Sequence, residues 1–173
     1  MSARLALSEL NALDMRGFVE VCGGLFERSP WIAERVWPRR PFASLKELHR
    51  ELVAVVEAAT EREKLGLISA HPDLAGSLAR GEPLSGESRA EQAAAGFTGL
   101  APDASALLAR YNADYRAKFG FPFVICAREN RAEAVLAAFP LRLANNLEEE
   151  TATALAEIAK IARLRLQDAV GEE

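Results

Sequence analysis

His71, in the stretch GLISAHPDLAG, is one of only two histidines in 173 residues, and it stands where a helical apolar run meets a proline. Imidazole is the side chain whose unperturbed pKa lies near neutrality, which suits a general acid. A histidine at a helix end also has a plainer use, since it can satisfy the last carbonyls and favour the helix dipole. Ser88, Glu91 and Gln92 of GESRAEQAAAGF are related by three and four residues, so on a helix a hydroxyl, a carboxyl and an amide leave one face. Ala95 and Gly96 continue that face with little bulk and leave room for a ligand. The same Ser-x-x-Glu spacing is that of a capping box, which needs no substrate. Arg165 projects within the border of an apolar stripe of Leu155, Ile158, Ala162, Leu166 and Ala169, whereas Arg163 points to the polar side. Its guanidinium is a snorkelling side chain, half of a structural ion pair, or an anion clamp offering fixed parallel donors to a carboxylate.

Other chemistries lack their residues. His49 has no His or Cys at ligand spacing, so no metal site is expected. There is no glycine-rich phosphate loop after a strand and no Gly-x-Ser-x-Gly elbow. Cys22 and Cys126 sit in apolar surroundings and read as buried, reduced thiols. A net charge of −4 with interspersed signs argues against nucleic acid, because phosphate binding needs a clustered basic surface. The densest cationic pair, Arg39-Arg40, is followed at once by Pro41. No stretch approaches the roughly 18 uninterrupted apolar residues of a membrane span. The N-terminal MSARLALSELNALDMRG lacks a signal-peptide pattern and the terminal GEE is not a peroxisomal signal, so the expected address is the cytoplasm.

Helix-period patterning dominates the elements that must position these residues, and no set of strands with sustained alternation is present. The reading is one all-α, compact multi-helix domain over residues 1–173. Phe18, Val21, Cys22 and Leu25 share a helical face. Ser29-Pro30 reads as an N-cap with proline in the first helical position. Ser44-x-x-Glu47 opens a helix striped with Leu45, Leu48, Leu52, Val55, Val56 and Ala59, and Thr60-x-x-Glu63 opens the next, which carries Leu65 and Ile68. That helix should end near Ala70, ahead of Pro72, which leaves His71 at its end. Residues 75–87 read as the longest loop, followed by a helix from about Ser88 to Ala95 stopped by Gly96. Pro102-Asp103 opens a helix with Leu107, Leu108, Tyr111 and Tyr115 on its inner face and Gly120 at its stop. Phe121-Pro122-Phe123-Val124-Ile125 reads as a short buried extended segment, since Pro122 lacks an N–H and restrains Phe121. Asn130 is expected to cap a helix that Pro140 interrupts or kinks, and a long helix runs from about Asn146 to Ala169.

Four segments, HPDLAG, ESRAEQAAAGF, KFGFPFVICA and EIAKIARLRL, in this order and spacing, make the chain resemble the family of 2-oxo-4-hydroxy-4-carboxy-5-ureidoimidazoline (OHCU) decarboxylases, from about residue 10 to residue 169. The resemblance implies an all-helical domain, a homodimer, no metal and no organic cofactor, and conversion of OHCU to (S)-allantoin in urate breakdown. It further implies that His71 is the catalytic proton donor and that Pro72 lines the substrate site. By the same motif Ser88, Glu91 and Gln92 bind the substrate, with Arg89 and Ala90 between them contributing position, and Glu91 also takes a catalytic part. Phe121, Pro122, Phe123, Val124 and Ile125 supply a wall and backbone hydrogen bonds to the heterocycle, and Arg165 matches the family's arginine near the C-terminus. The chemistry fits an absence of cofactor: when carbon dioxide leaves, the C=N bond adjacent to the departing carboxylate accepts the electron pair, so no pyridoxal or thiamine sink is required. The loop at 75–87 and Pro140 depart from the pattern without touching the motif residues. The alternative is a non-catalytic helical module of the same fold that holds a ureide or serves as a scaffold.

Overall fold

A computed structural model describes residues 4–74 and 84–172. Most of the loop expected at 75–87, with Ala75 and Gly76 of the histidine motif, lies outside the described residues. The elements are β1 (Leu5–Ala6), α1 (Leu7–Ala12), α2 (Met15–Cys22), α3 (Trp31–Val36), α4 (Leu45–Glu57), α5 (Glu61–Ser69), α6 (Gly86–Ala94), α7 (Pro102–Phe119), α8 (Ala132–Leu143), α9 (Leu147–Ala169) and β2 (Val170–Gly171), with short 3-10 turns at Trp37–Arg39, Phe97–Gly99 and Ala127–Glu129. The all-α expectation holds. The β1 and β2 strands are two-residue pieces paired in parallel, Leu5 with Val170 and Ala6 with Gly171, too short for alternation to reveal. Residues up to Leu67 together with those from Ala159 form one compact unit, and Ile68–Ile158 form another.

In the first unit α3 packs on α2 and α4, and Phe18, Ile32, Val36, Leu48 and Leu52 are wholly buried. Side-chain caps set the helix starts. Asp14 accepts the Gly17 N–H at 2.8 Å at the head of α2, and Ser44 accepts the Glu47 N–H at 3.1 Å at the head of α4. Glu47 reaches back to the N–H of Ala43, one residue beyond the usual box partner. Thr60 and Glu63 close the full reciprocal box on α5, at 3.3 and 2.9 Å. The Arg39-Arg40 pair is consumed internally: Arg39 pairs with Glu51, and Arg40 donates to the carbonyls of Asn11, Leu13 and Trp37.

Four expectations need correction. Pro30, not Ser29, occupies the cap position of α3, without a side-chain cap, and the Ser29 hydroxyl donates to the Glu27 carbonyl. Leu65 is 41% exposed and Leu67 is the buried partner of Ile68; two residues on a helix turn through about 200°, so Leu65 and Leu67 cannot share a face. Arg131 is the N-cap residue of α8, while Asn130 donates through Nδ2 to the Cys126 carbonyl. Pro140 does not interrupt α8, which runs through it to Leu143; the ring faces solvent, and only the one helical N–H it lacks is lost.

Both thiols are free and buried, and burial pushes the Cys22 thiol up to about 12. Cys22 is therefore expected to stay protonated and resist alkylation at pH 8 in the native protein and to react in denaturant, as followed by mass spectrometry; rapid native labelling would contradict its burial. Replacing the α4 cap, Ser44→Ala, is expected to lower stability by about 1 kcal/mol and the melting temperature by roughly 2–4 °C in a thermal melt.

Candidate active site

His71 follows the last turn of α5, where its own N–H closes onto the Ile68 carbonyl at 3.2 Å, and the residue is 7% exposed. A histidine serving only the helix dipole is free to lie on the surface, and this one is buried. The segment behind it is fastened to α7. Arg116 donates to the buried carboxylate of Asp73 at 2.9 Å, and Asn112, one turn earlier, donates to the Leu74 carbonyl at 3.0 Å. Positions four apart on one helix thus grip the two residues that follow Pro72.

The second motif lies on α6. Ser85 caps this helix by accepting the Ser88 N–H at 3.1 Å, so Ser88 sits inside the first turn and the capping-box account of Ser88 and Glu91 is overturned. Ser88 and Gln92 are buried and Glu91 is half-buried, whereas Arg89 and Ala90 face solvent. A buried hydroxyl and amide one helical turn apart, with a carboxyl beside them, form the polar face that the spacing predicts. The helix ends at Gly96, whose φ of +87° suits glycine, and the Ala95 carbonyl accepts the N–H of Ala132 at the start of α8.

The third element is the extended segment between α7 and α8. Gly120, at φ +79°, turns the chain out of α7, and Pro122 prevents a new helix. All five residues from Phe121 to Ile125 are buried. Phe123 stacks on Phe139 with centroids 3.8 Å apart and meets Tyr115 edge-on at 5.2 Å. The backbone is sparsely used. Among the described residues its one hydrogen bond is the Val124 carbonyl accepting from Arg142 Nη1 at 2.6 Å, with the N–H of the following Cys126 donating to Glu157 Oε2 at 2.9 Å.

Sequence reasoning missed the polar cluster behind this segment. Arg142 Nε donates to Glu150 at 2.7 Å, Asn145 donates to the other carboxylate oxygen at 2.8 Å, and the Tyr115 hydroxyl donates to Glu150 as well. Burial, and then the Glu150 carboxylate, push the Tyr115 phenol far above its ordinary range. A signal existed: Glu150 stands four and eight residues before Ala154 and Ile158, on the buried stripe of α9.

His71, Ser88, Glu91, Gln92 and Phe121–Ile125 all belong to the unit Ile68–Ile158, and Arg165 to the other. Arg165 is buried, with Nη1 3.3 Å from Glu27 Oε2 and from the Gly24 carbonyl, so the ion-pair reading describes its local setting; Arg163 is exposed as expected. His49 bonds to the Ala159 carbonyl at 2.7 Å. Among the described residues no group of three or more His, Cys, Asp or Glu could hold a metal ion, and no helix is long and apolar enough to cross a membrane.

The cap assignment has a direct check. Ser85→Ala is expected to lower stability by about 1 kcal/mol in urea denaturation, and Ser85→Asp to restore it, since aspartate caps well and favours the N-terminal dipole.

The sequence profile described as OHCU decarboxylase matches residues 11–167. The 2-oxo-4-hydroxy-4-carboxy-5-ureidoimidazoline decarboxylases of Amia calva and Mus musculus are each 40% identical, over 95% and 94% of this chain and 94% and 92% of their own. A crystal structure of OHCU decarboxylase in the presence of (S)-allantoin superposes with a TM-score of 0.68 at 25% identity, covering 90% of this chain and 97% of that one. A match over nearly the whole length, in sequence and in fold, makes this chain a member of the OHCU decarboxylase family.

Proposed function

We propose that this chain decarboxylates OHCU to (S)-allantoin in urate degradation, as one catalytic domain with its core at about residues 10–169, and that His71 is the proton donor. Membership of the family supports the reaction, and the observation that carries the assignment of roles is the buried His71, whose following residues Asp73 and Leu74 are fastened to α7, in the same compact unit as the polar face of α6.

The reaction breaks the bond between the ring carbon and its carboxylate. The electron pair moves into the adjacent C=N bond, carbon dioxide leaves, and the enol-like species takes a proton on the neighbouring carbon. Without an electron sink to supply, the protein's task is orientation and one-sided proton delivery. In this scheme Glu91 holds the substrate hydroxyl, Ser88 and Gln92 bind from the same helix face, Arg165 and Gln92 take carbonyl or ureido groups, and Pro72 lines the site. Arg89 and Ala90 contribute spacing, consistent with their outward-facing side chains. Phe121–Ile125 offers the heterocycle a flat wall and backbone groups that no helix ladder uses. Delivery of the proton from one side gives a single enantiomer. The working form is a homodimer in the cytoplasm with no metal or organic cofactor.

His71→Ala is expected to slow formation of optically active allantoin by about 10²–10⁴-fold, the usual worth of a positioned acid, while the far-ultraviolet spectrum stays native. The assay generates OHCU in situ from urate and follows circular dichroism. Parental rate and optical purity in His71→Ala would remove His71 from its role, and a normal rate in Glu91→Gln would remove Glu91. A wild-type protein no faster than the spontaneous, racemic decay would favour the non-catalytic ureide-binding module.

A further inference from the structure

The proposal concerns two residues that carry no role in the scheme above, Arg142 and Glu157, and it rests on the reading of Phe121–Ile125 as the wall that meets the heterocycle. Arg142 is 7% exposed and Glu150 is fully buried. Arg142 Nε and Nη2 lie 2.7 and 2.5 Å from the same Glu150 oxygen, and its guanidinium stands 4.2 Å over the Phe123 ring. Burying two charges carries a desolvation penalty of several kcal/mol per ion, and apolar residues of similar volume often serve stability as well or better. Core packing alone therefore gives a weak reason for this pair. What the guanidinium supplies and a methionine would not is a charge-assisted donor for the Val124 carbonyl.

The geometry of the peptide unit gives that bond its consequence. A trans peptide is planar, with its C=O and N–H pointing in opposite directions. Val124 C=O and Ile125 N–H belong to one such plane, so drawing the carbonyl to Arg142 sends the Ile125 N–H the other way. The next plane contains Ile125 C=O and Cys126 N–H. Drawing that N–H to Glu157, at 2.9 Å, turns the Ile125 carbonyl away from Glu157. Two charged side chains thus fix two successive planes and leave to Ile125 one donor and one acceptor, neither of which has a partner among the described residues. A donor beside an acceptor on one residue matches the –CO–NH– edge of a ureide or a cyclic amide, which presents the complementary pair.

We propose that Arg142, locked by Glu150, and Glu157 are positioning residues that orient the Val124–Ile125 and Ile125–Cys126 peptide planes so that Ile125 reads the –CO–NH– edge of the substrate. They act through the backbone and remain clear of the reacting atoms. Their loss should weaken binding of the ground state and the transition state alike, raising KM more than it lowers kcat.

The test uses Glu157→Ala and Glu157→Gln together with the triple variant Tyr115→Phe, Arg142→Met, Glu150→Leu, which replaces the buried charges by apolar volume and so avoids leaving one charge unpaired. Glu157 is half-buried on α9; its replacement by alanine leaves the Cys126 N–H unpaired and should lower the melt modestly while the protein stays folded, as the far-ultraviolet spectrum would show. Glu157→Ala is expected to raise KM about tenfold, the worth of one misdirected hydrogen bond, with kcat changed less. Glu157→Gln should recover most of this, because an amide oxygen still accepts the Cys126 N–H. The triple variant should fold and show the same raised KM. Parental KM in both Glu157→Ala and a folded triple variant would overturn the proposal, as would Glu157→Gln behaving like Glu157→Ala. A wild type without turnover above the spontaneous decay would instead defeat the functional reading, and this inference with it.

Discussion

An extended segment buried inside a helical unit has backbone groups that no ladder satisfies, and buried backbone groups must be paired with something. That constraint explains the polar interior of the unit Ile68–Ile158. Gly120 and Pro122 force the chain out of helix, and Phe121, Phe123, Val124 and Ile125 then draw it into the core. Once inside, the Val124 carbonyl needs a donor and the Cys126 N–H an acceptor; Arg142 and Glu157 supply them. Arg142 in turn needs a counter-charge, and Glu150 needs the donors of Tyr115 and Asn145 to occupy its remaining lone pairs. A chain of polar partners follows from one proline-containing stretch.

Helix α7 connects this arrangement to His71, the proposed proton donor. Asn112 and Arg116 hold the segment after His71, while Tyr115 and Phe119, on the same helix, face the aromatic cluster of the extended segment. One helix thereby holds both the segment that follows the proposed proton donor and the wall proposed to meet the ring. For a reaction whose electron sink lies in the substrate itself, holding the substrate in register with one acid is most of what catalysis requires.

Much of this was legible in the sequence because it rests on local rules. The caps at Ser44 and Thr60, the stop at Gly120 and the extended Phe121–Ile125 each depend on a few neighbouring residues, and the structure places them as expected. The α6 cap was misplaced because Ser88 carries the box spacing with Glu91; the helix begins two residues earlier, at Gly86, and Ser85 is its cap. The cluster around Glu150 was hidden by its neighbours. In the run Glu148-Glu149-Glu150 a third carboxylate reads as one more favourable charge at a helix N-terminus, and only the tertiary partner on α8 shows it to be buried. Arg165 was recognised as out of place, yet its partner Glu27 lies 138 residues away and no local rule could supply it.

The most direct test of the account is an amide spectrum of the isotopically labelled protein titrated with (S)-allantoin. The Ile125 N–H should shift strongly and saturably, with Phe123 and Val124 responding less, because that donor is the one turned away from Arg142. A spectrum in which (S)-allantoin binds and the Ile125 amide does not move would contradict the claim that this buried backbone reads the ligand.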